Sequence, residues 1–151
     1  MPEFNTIVPD VVFQEVPGEI SLAFIVTGCP LKCNGCHSKD TWDPAAGEPL
    51  TDEEFRHWLE RYGGLITCVV FFGGEWSPTH LCRKLDIARE YGLKTCLYSG
   101  CDRLSGKIRS RLDFMKLGAW RQELGGLDSP VTNQQFIHLS SGQVMNFLFQ
   151  G

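Results

Sequence analysis

No stretch of this sequence stays apolar for anything near the ~20 residues that a membrane-spanning helix requires. The longest such runs, Leu22 to Val26 and Cys68 to Phe72, read instead as buried strands. The first ten residues lack the positive region and apolar stretch of a secretory signal, which points to a cytoplasmic protein with no membrane partner. A long basic block is also missing, and 14 Lys and Arg against 18 Asp and Glu leave a net charge of −4, so a nucleic-acid partner is not expected. The densest positive run, Arg103, Lys107, Arg109 and Arg111, reads as a solvated face or as a landing surface for an acidic partner or a reductase. Repeats and low-complexity segments are absent. With 42% apolar and 21% charged residues the composition is ordinary globular, and 151 residues suit one domain over 1–151. The closing LFQG resembles a protease-cleavable tag remnant and carries no functional reading.

What the sequence does have is cysteine, seven in all. An odd count in a reducing compartment argues against a disulfide framework and for metal or cluster ligation. Three of them, Cys29, Cys33 and Cys36, fall within eight positions of TGCPLKCNGCHSKDTW.

The rest of the chain alternates strand and helix patterns. Val11 to Val16 and Ser21 to Thr27 flank the turn-forming Pro17, Gly18 and Glu19, predicting an opening hairpin. Thr51 and Glu54 have capping-box spacing before Phe55, Trp58, Leu59 and Tyr62, and Gly63 and Gly64 close that helix. Cys68 to Phe72 predicts a strand buried on both faces, ended by Gly73 and Gly74. Ser77 and Pro78 start a second helix with Leu81, Leu85, Ala88 and Tyr91 as its buried stripe. Lys94 to Tyr98, Leu112 to Leu117, Asn133 to Leu139 and Gln143 to Phe149 read as further strands, the first two separated by a short polar segment with helical character. The alternation implies an α/β fold with mostly parallel strands. A complete eight-unit barrel takes ~250 residues, so the chain builds an incomplete TIM-like barrel. Loops at the C-terminal ends of parallel strands carry the chemistry in such folds, which brings together the cysteine loop, GGEW after Phe72 and SGC after Tyr98.

The cysteine loop admits several chemistries. Cys33 to His37 matches the CxxCH pattern of haem attachment, but that chemistry ordinarily follows export. A redox dithiol gives no reason for Cys29. Structural zinc needs four closed ligands, usually in two separated pairs, and no second close pair of Cys or His is present; His37 sits too near Cys36 for easy joint ligation. Three thiolates can instead hold three irons of a 4Fe-4S cluster and leave the fourth iron open to a ligand.

The CxxxCxxC spacing of Cys29, Cys33 and Cys36, with Gly73-Gly74-Glu75 at the next strand end, resembles the radical S-adenosylmethionine superfamily. CPLKCNGCHSKDTWD, FFGGEW and ELGGLDSPVTNQQF together resemble the activating enzymes of anaerobic ribonucleotide reductases, a likeness running from about Thr27 to Phe136. That resemblance implies a radical S-adenosylmethionine fold with a 4Fe-4S cluster on Cys29, Cys33 and Cys36. It implies reductive cleavage of S-adenosylmethionine and removal of a Cα hydrogen from a glycine near the C-terminus of the reductase large subunit, leaving a glycyl radical. It also implies a flavodoxin- or ferredoxin-like electron donor.

By the same resemblance the backbone at Gly35, Cys36 and His37 lies beside the adenine, and Gly73, Gly74 and Glu75 receive the methionyl amine. Glycines permit close backbone approach and a carboxylate suits an ammonium. Ser99 is a candidate for the ribose or carboxylate, Lys116 a cofactor contact or a solvent-facing lysine, and Asn133 and Gln134 match the family's TNQ segment. No catalytic side chain is expected beyond cluster and cofactor. Cys68, Cys82 and Cys96 read as buried hydrophobes, Cys101 as following the Ser99 loop within reach of the site but with no assigned role, and His57 and His80 as surface or capping residues. Trp42 and Trp76 flank the two motifs as packing residues or pocket walls. A radical enzyme acting on another glycyl-radical protein or a small molecule is the nearest alternative. An iron-sulfur electron carrier or a zinc-binding module would leave Gly73 to Glu75 unexplained.

Overall fold

The computed structural model describes residues 4–27, 47–101, 103–119, 121 and 123–149. Cys29, Cys33, Gly35, Cys36, His37 and Trp42 lie outside the described residues, and the expectations placed on them with them.

Strands β1 (Asn5–Thr6), β2 (Asp10–Val12), β3 (Ser21–Ile25) and β4 (Glu48–Pro49) precede helix α1 (Asp52–Arg61). Then follow β5 (Cys68–Phe72), α2 (Pro78–Glu90), β6 (Lys94–Tyr98), α3 (Gly106–Arg109), β7 (Phe114–Leu117), β8 (Gln135–His138), β9 (Gln143–Val144) and a 3-10 turn at Asn146–Leu148. Seven strands form one sheet in the order β2-β3-β5-β6-β7-β8-β9, while β1 pairs with β4 apart from it. The central β3, β5, β6 and β7 are parallel. β2 runs antiparallel to β3, and β8 and β9 continue the other edge antiparallel.

The alternation of side chains along each strand assigns the two faces. Leu22, Phe24, Val69, Phe71, Leu97 and Met115 share one core with buried residues of α1, α2 and α3, among them Phe55, Leu59, Leu81, Leu85 and Ile108. Its centre is aromatic: Phe24 lies 5.2 Å from Phe55 and 5.5 Å from Phe71, ring centre to ring centre. The opposite face, with Ala23, Cys68, Val70, Cys96, Phe114 and Phe136, is covered by Val16, Leu127, Met145 and Phe149 from non-helical segments. Cysteine is inert there, because burial pushes the Cys68 thiol up to about 12 and Cys96 well above its ordinary value.

Several boundaries follow the sequence reading. Thr51 caps α1, its hydroxyl oxygen accepting from the Glu54 N–H at 3.1 Å. The polar segment before β7 is helical as α3, and the α/β class with parallel central strands holds.

Other expectations need correction. The first hairpin arm is Asp10–Val12, not Val11 to Val16, because Val16 leaves the sheet edge to cover its helix-free face. The strand expected at Leu112 begins at Phe114, and that expected over Gln143 to Phe149 is two residues followed by the 3-10 turn. β8 and β9, whose direction the sequence leaves open, run antiparallel, and among the described residues between β7 and β8 there is no helix of the kind that usually returns a parallel strand. On α2, Tyr91 is 38% exposed and outside the buried stripe, whereas His80, expected at the surface, is buried edge-on to Phe4 with ring centres 6.2 Å apart. Ser77 precedes Pro78 as expected but makes no side-chain cap bond.

Candidate active site

Parallel register places three chain segments at one end of the sheet. Ile25 pairs with Phe72 and Phe72 with Tyr98, and Tyr98 pairs with Lys116. The chain therefore leaves β3 toward the cysteine segment, β5 into Gly73-Gly74-Glu75 and β6 into Ser99-Gly100-Cys101, all at the same edge. Because β8 starts opposite Leu117, its preceding residues Asn133 and Gln134 arrive there too.

Backbone bonds carry the ladder past the strand ends. The Val26 N–H donates to Phe72 O at 3.0 Å, Gly73 to Tyr98 O at 2.9 Å, Ser99 to Lys116 O at 2.8 Å and Gly118 to Cys101 O at 2.9 Å. Gly73 and Gly74 turn the chain at φ +88° and +107°, conformations that side chains rarely adopt. A Cβ on Gly73 would meet the Trp76 ring at 2.5 Å, so Trp76 packs over this turn.

The turn aims Glu75 at the β6 loop. Its Oε1 accepts from the Ser99 hydroxyl at 3.0 Å and from the Cys101 thiol at 3.7 Å. Its Oε2 is buried and has no hydrogen-bond partner among the described residues. Burial pushes the Glu75 carboxyl above its ordinary value; its own N–H, Ser99, Cys101 and the charge of Lys116 pull the other way without cancelling the rise. A carboxylate oxygen so placed costs free energy until a donor or cation reaches it. That fits the ammonium expected from sequence.

Lys116 is half-buried, not splayed into solvent: Nζ donates to Gly118 O at 3.2 Å and lies 5.6 Å from the Tyr98 ring centre. Ser99, 1% exposed, touches Glu75 and is more than a turn residue. Asn133 donates from Nδ2 to Ala119 O at 3.1 Å, and its buried Oδ1 has no hydrogen-bond partner among the described residues. Gln134 donates from Nε2 to Gly118 O at 3.3 Å. On the helix-free face below this edge a cavity of about 310 Å³ opens between Gln14, Glu15, Tyr98, Lys116, Gln134 and Phe149. A larger hollow of about 500 Å³, lined by Gly63, Thr67, Tyr91 and Lys94, lies at the other strand ends, away from Glu75.

Two residues here escaped the sequence reading. Cys101 lies near the site, as its place two residues beyond Ser99 implies, but its contact with Glu75 is one that the sequence reading does not assign. Gly118 holds φ +107°, with space for a Cβ closed by Asn133 O and Gln134 Cα, both at 3.1 Å. Gly118→Ala is expected to destabilise the fold by about 2 kcal/mol, read as a lowered urea midpoint with unchanged slope.

Among the described residues no three His, Cys, Asp or Glu side chains are grouped to hold a metal, and Cys29, Cys33 and Cys36 lie outside those residues. A family model described as a 4Fe-4S single cluster domain matches residues 17–101, more than half of the chain. The chain belongs to that family. Over 90 residues the chain is 37% identical to the pyruvate formate-lyase-activating enzyme of Clostridium pasteurianum, covering 54% of this chain and 36% of that protein. It is 36% identical over 55 residues to the pyruvate formate-lyase 1-activating enzyme of Escherichia coli K12, covering 32% and 21%. The chain thus spans about a third or less of the length of these relatives. The crystal structure of QueE from Escherichia coli shares the fold, with a TM-score of 0.54 at 16% identity over 72% of this chain and 68% of that one. A 4Fe-4S cluster and S-adenosylmethionine are the cofactors that this membership and these relatives support. No helix among the described residues is long and apolar enough to cross a membrane.

Proposed function

We propose that this chain is a radical S-adenosylmethionine activase that makes a glycyl radical on a partner enzyme. The observation that carries the reading is Glu75, a buried carboxylate with one oxygen committed to the protein and the other bare among the described residues, at the strand end next to the one leading to three cysteines. Cys29, Cys33 and Cys36 would hold the cluster, Gly35, Cys36 and His37 would flank the adenine, and Gly73, Gly74 and Glu75 would take the methionyl amine. When bound, the cluster supplies the electron that cleaves S-adenosylmethionine.

The protein's share is to orient the cofactor and to keep water and competing hydrogen donors away. Among the described residues the helices lie on one sheet face, which suits an incomplete barrel whose other face is its interior. There the cavity beside Lys116 and Gln134 has room for a peptide turn, and glycine is the backbone residue a buried radical reaches with least hindrance. Lys116, Ser99 and Asn133 would line the approach.

The favoured target is the C-terminal glycine loop of an anaerobic ribonucleotide reductase, supported by the resemblance of Asp40-Thr41-Trp42 and Thr132-Asn133-Gln134 to that family's segments. Pyruvate formate-lyase is the second reading, favoured by the names of the relatives. A flavodoxin- or ferredoxin-like protein in the cytoplasm would supply electrons.

One experiment separates them. Anaerobically reconstituted protein, reduced and given S-adenosylmethionine, is mixed with either enzyme and read by EPR. A glycyl-radical doublet with the reductase alone supports the favoured target, and one with pyruvate formate-lyase alone supports the second. Stoichiometric zinc, with no cluster and no response to S-adenosylmethionine, would sink the enzyme reading.

A further inference from the structure

Glu75 is anchored unequally. Ser99 Oγ accepts the Cys101 backbone N–H at 3.0 Å, which occupies an oxygen lone pair and leaves the hydroxyl proton free to point at Glu75 Oε1, 3.0 Å away. The Cys101 thiol converges on the same oxygen at 3.7 Å. Oε1 thus carries two protein donors, while buried Oε2 carries none among the described residues. The β6 turn is itself fixed, since the Ser99 N–H bonds to Lys116 O and Cys101 O accepts from the Gly118 N–H.

We infer that Ser99 and Cys101 form a positioning pair that fixes the Glu75 carboxylate through Oε1 and so presents Oε2 to the ammonium of S-adenosylmethionine. This rests on the reading of Glu75 proposed above and gives Cys101 a role that spacing alone withheld. The thiol must be reduced and unmodified to serve, because alkylation removes its proton and adds bulk against the carboxylate.

The groups facing the carboxylate fix the sign of its pH dependence. They are the Glu75 N–H on its own turn, the Ser99 hydroxyl and Cys101 thiol on the β6 loop, and the Lys116 ammonium on β7. All of them favour the ionised form and oppose the effect of burial. Removing either positioning donor therefore raises the pH below which the carboxylate is protonated, and the acid limb of cofactor binding moves up with it.

The test uses the full chain in two measurements. Carbon-13 NMR follows the Glu75 carboxyl titration without cofactor, and equilibrium dialysis follows S-adenosylmethionine affinity of the cluster-loaded protein between about pH 5 and 8. Ser99→Ala is expected to weaken affinity about tenfold and to raise the titration midpoint by up to ~1 unit, the size of a lost hydrogen bond to a charged group. Cys101→Ala should weaken it about threefold, thiol donors being weaker, and Cys101→Ser should restore both values. A Glu75 midpoint that stays put in Ser99→Ala and Cys101→Ala overturns the pair whatever happens to the cofactor. Moved midpoints with unchanged affinity overturn its link to binding. A cluster-loaded wild type that binds no S-adenosylmethionine overturns the functional reading and this inference together.

Discussion

Glu75→Gln is expected to lower S-adenosylmethionine affinity by about a hundredfold while leaving the cluster in place and the fold no less stable. The wild-type carboxylate is buried with a bare Oε2 among the described residues, so an arriving ammonium meets a charge that water does not screen. Replacing one partner of such a pair costs about 3 kcal/mol, and each 1.4 kcal/mol is tenfold in affinity. Glutamine keeps the size and still accepts from Ser99 through its carbonyl oxygen, so the geometry survives while the charge does not. The stability change has the opposite sign. A carboxyl pushed up by burial holds its proton more tightly in the folded state than in the unfolded one. The stability this gives is complete below the unfolded value and lost as pH rises through the folded value. At neutral pH the uncharged glutamine escapes that loss, and cofactor-free Glu75→Gln should melt at or above the wild-type temperature. Equilibrium dialysis and a thermal scan at pH 7 check both halves. A variant that binds the cofactor like the wild type removes Glu75 from the site, and a large drop in melting temperature would mean that the lost affinity reports unfolding.

Much of this site was legible because its signals are local. A run such as CVVFF followed by two glycines ends as a buried strand whatever surrounds it, and Gly73 and Gly74 end it with positive φ. Thr51 capped α1 because a hydroxyl three residues before a backbone donor needs nothing else. What escaped depends on partners distant in sequence. Cys101 reads as near the site but without a partner until β5 and β6 align Phe72 with Tyr98 and set its thiol against Glu75. The direction of β8 is set by its pairing with β7, and a connection long enough for either return leaves that direction open in the sequence. The segment of Cys29, Cys33 and Cys36 is the converse case: its spacing speaks in the sequence, and its geometry lies outside the described residues.

Helix α2 shows why polar residues mislead. Leu81, Leu85 and Ala88 form the expected stripe, but His80, Lys84 and Ile87 make a second, adjacent one at the same helical spacing, and all six are buried. A histidine and a lysine on that second stripe disguise the width of the covered face. Lys84 is 0% exposed because it carries its own neutralising partner across the helix pair.

Breaking that pair is expected to be costly from one side and cheap from the other. Lys84 Nζ lies 2.6 Å from Asp52 Oδ1, with Phe4 below at 5.8 Å from its ring centre, and Arg83 also contacts the carboxylate from the surface side. Burial pushes the Asp52 carboxyl up, yet the hydrogen bond and charge of Lys84, with those of Arg83, prevail and hold it below the usual range. Asp52→Ala leaves the ammonium buried without this carboxylate and should cost about 3 kcal/mol. Lys84→Met leaves an aspartate that is a quarter exposed and still beside Arg83, so it should cost under about 1 kcal/mol. The asymmetry separates a buried unpaired charge from a merely lost contact, and urea titrations of both variants read it directly. A carboxyl held low contributes stability that is present above its unfolded value of about 3.9 and lost as pH falls through the folded value. Wild type should therefore lose this increment in strongly acid solution, and Asp52→Ala, having none to lose, should show a shallower acid limb. Equal costs for the two single variants would mean that Lys84 is held mainly by groups other than Asp52.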